Sequence, residues 1–164
     1  MDVKALGCAV VALLAGCGSA GTSVSGTIAG EQFTAVDAVE YQFNGSYWIA
    51  IGNFADECAY FQGAPGLSKA SSEILDINFA VQGVGSYTIL QDPIEAGFNV
   101  YGSDCSETGG SIVKSGSVTF TRNDATGAAG TFQFVFASGD ELSGRFDAPA
   151  CSLPDAGPGG ASCS

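Results

Sequence analysis

The chain contains no histidine and only five lysine and arginine residues among 164. The missing imidazole excludes Ser-His-Asp and Cys-His nucleophile activation, His-Glu-x-x-His zinc sites and histidine general bases. Against the five cations stand 17 Asp and Glu, a net charge of −12 that repels a phosphate backbone, so no nucleic acid is expected as a partner. The apolar run from Ala5 to Gly16 falls well below the ~20 residues needed to span a bilayer as a helix. Gly-x-Ser-x-Gly elbows, P-loops, EF-hand loops and Cys-x-x-Cys pairs are also missing. What the chain does have is 46% hydrophobic residues, 24 glycines and six cysteines, enough apolar material for a packed core and against disorder.

The run from Ala5 to Gly16 has the length of a signal-peptide h-region, preceded by a weak n-region in which Asp2 offsets Lys4. It ends in Leu14-Ala15-Gly16-Cys17, which resembles the lipobox of bacterial lipoproteins. The resemblance implies that the signal peptide, residues 1–16, is cleaved and that Cys17 is diacylated as the first mature residue. Gly18, a residue other than Asp after the cysteine, implies sorting to the outer membrane of a Gram-negative bacterium. Two or three acyl chains anchor a protein stably where one does not, so the membrane is the expected partner, through lipid on Cys17. Loss of Asp2 and Lys4 leaves the charge of the mature part unchanged, so the acidity belongs to the folded domain.

Cys8 leaves with the signal peptide and Cys17 carries lipid, so Cys58, Cys105, Cys151 and Cys163 remain. An even number in an exported domain reads as two disulfides. Short loop closure favours Cys58–Cys105 with Cys151–Cys163, while a bridge from Cys58 or Cys105 to Cys151 stays open.

Residues 17–22 read as a tether, 23–149 as one β-domain and 150–164 as an irregular Gly/Pro/Ser tail. Within the domain the hydrophobic period is two. In residues 32–43 the odd positions are Phe33, Ala35, Asp37, Val39, Tyr41 and Phe43; Asn44-Gly45 then marks a hairpin that sets Tyr41 opposite Trp48 and Val39 opposite Ala50. Further strands are expected near 74–81, 86–90, 97–101 and 112–122. Phe132, Phe134 and Phe136 then face Leu142, Gly144 and Phe146 across a three-residue loop, Ser138-Gly139-Asp140. One short helical turn is expected within residues 64–73. The fold class is therefore all-β, a mostly antiparallel β-sandwich or barrel of about 8–10 strands.

Strings that mimic catalytic motifs lack their context. Gly16-Cys17-Gly18-Ser19-Ala20-Gly21 overlaps the processing site, and Ser111-Ile112-Val113-Lys114 lies on an expected strand instead of opening a helix. Carboxylates carry what chemistry remains: Asp56-Glu57, Asp140-Glu141, Asp37 with Glu40 and Asp104 with Glu107 are the closest groupings and read as solvated turn and edge charges, while Asn123-Asp124 and residues 104–107 are the loops considered for calcium. Glycosidase work needs two carboxylates at a set separation, and calcium needs a ligand pattern that none of these loops displays. Asp37 stands out, because it lies on an otherwise apolar face as either a strand end or a buried group. Trp48 is expected in the core, whereas Tyr47 and Tyr101 are the rings expected at the surface and, with Asp37, the candidate binding residues.

The run from Gly130 to Cys151, with its Gly-x-Phe, Gly-Asp turn and Leu-x-Gly-x-Phe-x-Ala, resembles the closing hairpin of small β-rich bacterial lipoproteins, a group without assigned chemistry. Gly85-Ser86-Tyr87-Thr88-Ile89 is similar to an earlier strand of that group. These features lead to the expectation of a lipid-anchored envelope domain with a structural or binding role, not an enzyme and without metal or cofactor. A carbohydrate- or calcium-binding module is the alternative, and a carboxylate-dependent hydrolase comes third.

Overall fold

The computed structural model describes residues 21–64, 66–68, 70–80, 83–154 and 157–158. The signal peptide, Cys17 and Cys163 lie outside them. The strands are β1 (Ser23–Ile28), β2 (Glu31–Gln32), β3 (Asp37–Phe43), β4 (Ser46–Gly52), β5 (Glu73–Phe79), β6 (Gly85–Thr88), β7 (Ile94–Tyr101), β8 (Glu107–Asp124), β9 (Gly127–Phe136) and β10 (Glu141–Cys151). A single helical turn, α1 (Glu57–Phe61), follows β4 and not residue 64 as the sequence suggested.

Seven strands close a barrel in the order β3-β4-β5-β7-β8-β9-β10. Neighbours are antiparallel except at the closure, where Ala150 and Cys151 of β10 run parallel to Glu40 and Tyr41 of β3. The longest strand, β8, turns a corner. The first part of β8 pairs with β7 and the rest with β9, with register shifts between Val113 and Ser115 and between Phe120 and Arg122. Such bulges bend a strand and raise its local twist, which lets one strand serve two sheets. β1 lines up beside β10, β2 beside β1, and β6 beside β8.

The Asn44-Gly45 turn has positive φ at both residues, 51° and 81°, and the hairpin register is the expected one, with Tyr41 opposite Trp48 and Val39 opposite Ala50. The β9–β10 hairpin differs. Val135 pairs with Glu141 and Phe132 with Gly144, so the three-residue loop is Ala137-Ser138-Gly139, one residue earlier than expected, and Phe146 faces Gly130. The parity rule holds because both loops have an odd length, and only then do the phenylalanines and Leu142 share a face. The loop closes there because the Phe136 N–H donates to the Asp140 carbonyl (2.9 Å) and Gly139 adopts φ 92°. The Phe132 ring then occupies the space that a Cβ on Gly144 would take.

Eight phenylalanines fill the barrel: Phe33, Phe79, Phe98, Phe120, Phe132, Phe134, Phe136 and Phe146, packed with Ile49, Ile51, Leu75 and Ile77. A second apolar layer lies on the outer face of β3–β5, built from Val39, Tyr41, Ala50 and Ile74 and covered by Tyr60 and Phe61 of α1. Both faces of β4 are therefore buried.

Candidate functional site

The outer layer gathers polar and titratable side chains around α1. Odd positions of β3 face it, and so Asp37, Val39 and Tyr41 stand together at the base of α1. Asp37 opens β3 and is half-buried. Its Oδ1 accepts the Ala38 N–H (2.9 Å) and its Oδ2 accepts the Glu57 N–H (3.2 Å). A helix start leaves its first N–H groups without intrahelical partners. The residue at the N-cap, Asp56, has φ 63° and makes no side-chain cap, so Asp37 supplies that acceptor from a neighbouring strand.

Glu57 is fully buried at 0% exposure, and among the described residues neither carboxyl oxygen has a hydrogen-bond partner. The carboxyl lies directly over Gly52 of β4, where any Cβ would overlap Oε1. Burial, then the charges of Asp37 and Asp76, push its pKa up from 4.5 to about 9, so it is a neutral acid at pH 7. Tyr41 is buried beside it, and its phenol is pushed well above the usual range by burial first, then by Asp76, Glu57 and Tyr101. Asp76 accepts from the Asn99 side chain at 2.9 Å.

Of the rings expected at the surface, Tyr101 is half-buried against this layer, and burial with Asp76 raises its pKa. Tyr47 is also half-buried but on the opposite face, its ring stacked on Phe79 with centroids 5.6 Å apart. The reason lies in strand parity: Tyr47 shares the inward face of β4 with Ile49 and Ile51. Trp48, expected in the core, is half-buried in the outer layer, parallel to Tyr41 at 6.4 Å. Asp37 and Tyr101 thus border one layer, and Tyr47 is not part of it.

The disulfide joins Cys58 of α1 to Cys151 at the end of β10, with Cα atoms 5.6 Å apart. The favoured Cys58–Cys105 pairing is overturned because the parallel closure sets Cys151 beside Tyr41, directly under α1. Cys105 is also disulfide-bonded.

Sequence reasoning passed over Glu57 as a solvated turn charge and grouped Glu40 with Asp37 under the same reading. Glu40 points to the inner face of β3, 5% exposed, with Oε2 unpartnered. Burial raises its pKa to about 7 against the opposing pull of Arg122. The one available signal was Glu57's position before Cys58-Ala59-Tyr60-Phe61, an apolar run that must be covered by something. Three acidic turns behave as expected: Asp104 and Asp124 are exposed, Asp140 is partly so, and each accepts a hydrogen bond from a Ser or Thr hydroxyl two residues away. Those bonds hold all three below the ordinary range. Among the described residues no three His, Cys, Asp or Glu side chains converge as a metal would require.

The sheet β6-β8-β9-β10-β1 presents a different surface. Two cross-strand rows run over its outer face, Thr88–Ser117–Gln133–Ser143–Ser25 and Ser86–Thr119–Thr131–Arg145–Ser23. Ser86 and Thr119 hydrogen-bond at 2.8 Å and Ser25 and Ser143 at 3.3 Å. A shallow groove of about 530 Å³ crosses the first row.

No protein-family model, curated protein or solved structure matches this chain.

Proposed function

We propose that the protein is a lipid-anchored β-barrel domain of the bacterial cell envelope, held at the outer membrane through Cys17 and serving a non-catalytic structural or binding role. The observation that carries this reading is the barrel interior filled by phenylalanine, on a chain whose first strand begins at Ser23, shortly after the lipobox cysteine. A small barrel filled by its own side chains is a solid scaffold and not a container, so partners meet its outer surface. The turn acids support the same reading, since Asp104, Asp124 and Asp140 are engaged in capping their own turns. Peptide mass mapping under non-reducing conditions identifies the cysteine bonded to Cys105.

Radioactive palmitate should label the wild type and not Cys17→Ser, and the variant should leave the membrane fraction. Equal labelling of both would overturn the anchor. A second reading, glycan binding, is favoured by the hydroxyl and amide rows from Thr88 to Ser25 and from Ser86 to Ser23, which hold one cation and no carboxylate. Glycan-array binding lost in Gln133→Ala would support it; binding unaffected by that change would move the contact elsewhere.

A further inference from the structure

Burying a carboxyl with no donor is costly unless it stays protonated, and two buried acids side by side cannot both ionise freely. Glu57 meets both conditions at once: it is 0% exposed, its oxygens are unpartnered among the described residues, and its own N–H is bound by the Asp37 carboxylate. The groups that face it are Asp37 and Tyr41 from β3, Asp76 from β5 and the bare backbone of Gly52 on β4. None of these is a cation. The segment that carries it is one helical turn, tied to the barrel by a single covalent link at Cys58.

We propose that residues 53–62, the segment carrying α1, form a pH-released cover over the outer face of β3–β5, with Glu57 as the trigger and the Cys58–Cys151 disulfide as the tether. When Glu57 loses its proton the new carboxylate has no donor to meet it and Asp37 repels it, so the carboxyl reaches water by lifting α1. Tyr60 and Phe61 move with the turn and uncover Tyr41 and Ile74, which they pack against when closed. The disulfide keeps the segment attached, so the barrel stays folded and closure on reprotonation is intramolecular. With Glu57 raised to about 9, the closed form prevails at neutral pH and opening belongs to alkaline conditions.

Trp48, the only tryptophan, sits in the covered layer and reports on it. In the intact oxidised protein its emission should shift to the red between pH 8 and 10, while far-UV circular dichroism stays constant and protease cuts appear within residues 53–62. Glu57→Gln should abolish the shift over that range. Asp37→Asn should move its midpoint to lower pH, because a neighbouring negative charge is gone, and reduction of the disulfide should do the same by freeing the cover. A transition of equal midpoint in Glu57→Gln, or none in the wild type up to pH 10, overturns the proposal. If Glu57→Gln does not fold, Asp37→Asn decides it: an unmoved midpoint overturns the trigger.

Discussion

The two faces of β3 and β4 bury aromatic residues in opposite ways. Inside the barrel the rings are phenylalanine, with Tyr47 and Tyr87 packed only at the margin of the cluster. Outside, under α1, three of the five tyrosines and the tryptophan gather with Phe43, Phe54 and Phe61. A closed interior offers few partners for a hydroxyl or an indole N–H, so hydrocarbon rings are the cheap filling there. The outer layer borders on loops, backbone and water, and tolerates polar tips. Each layer nevertheless holds a carboxyl that burial keeps protonated beyond its ordinary range: Glu40 inside, raised to about 7, and Glu57 outside, raised to about 9.

The contrast can be broken first at its strongest point. Phe132→Ala removes a buried ring from the barrel and should cost about 3–5 kcal/mol in urea unfolding, without changing the pH dependence. Next, Cys58→Ser frees α1 and should cost about 2–5 kcal/mol. Hydrogen exchange should locate that loss in the outer layer and leave β8–β10 protected.

Smaller effects separate the two carboxyls. Both have folded pKa values above their unfolded ones, so each contributes stability that is complete below about pH 4.5 and declines as pH rises towards the folded value. For Glu57 the decline runs from about 4.5 to about 9 and is at most about 1.4 kcal/mol per pH unit. Glu57→Gln should remove that slope in denaturant titrations across this window. For Glu40 the window closes near pH 7, so Glu40→Gln should flatten only the lower part of the profile, by a smaller total. Identical profiles for the two variants would mean that the layers are not electrostatically distinct.

Much of this arrangement was legible residue by residue. Asn44-Gly45 announced its turn and its register, because positive φ at both positions selects one hairpin geometry. Alternation marked Leu75, Ile77 and Phe79 as one face, and the odd-loop rule joined the phenylalanines of β9 to Leu142 and Phe146. The site was far less legible. Asp37 was noticed for the right reason, an acid on an apolar face, yet its partner Glu57 lies in a segment that looked like a solvated turn. Tyr47 was taken for a surface ring because Tyr41, Trp48 and Val39 mark an apolar face on which it does not lie. That face is the outside of the barrel, and Tyr47 points inward.

By itself, then, the sequence determines the strand period, the hairpin at Asn44-Gly45, an all-β fold and the acidity of the domain. These follow from local rules: steric limits on φ, the two-residue repeat of a strand, and the count of charges. Only the tertiary structure decides which apolar face of β3 and β4 turns inward, since both are buried and the pattern is the same from either side. It also decides the parallel closure of Cys151 on Tyr41, and with it the Cys58–Cys151 bridge and the burial of Glu57. Those contacts join residues far apart in the chain, and no local preference at either end encodes the meeting.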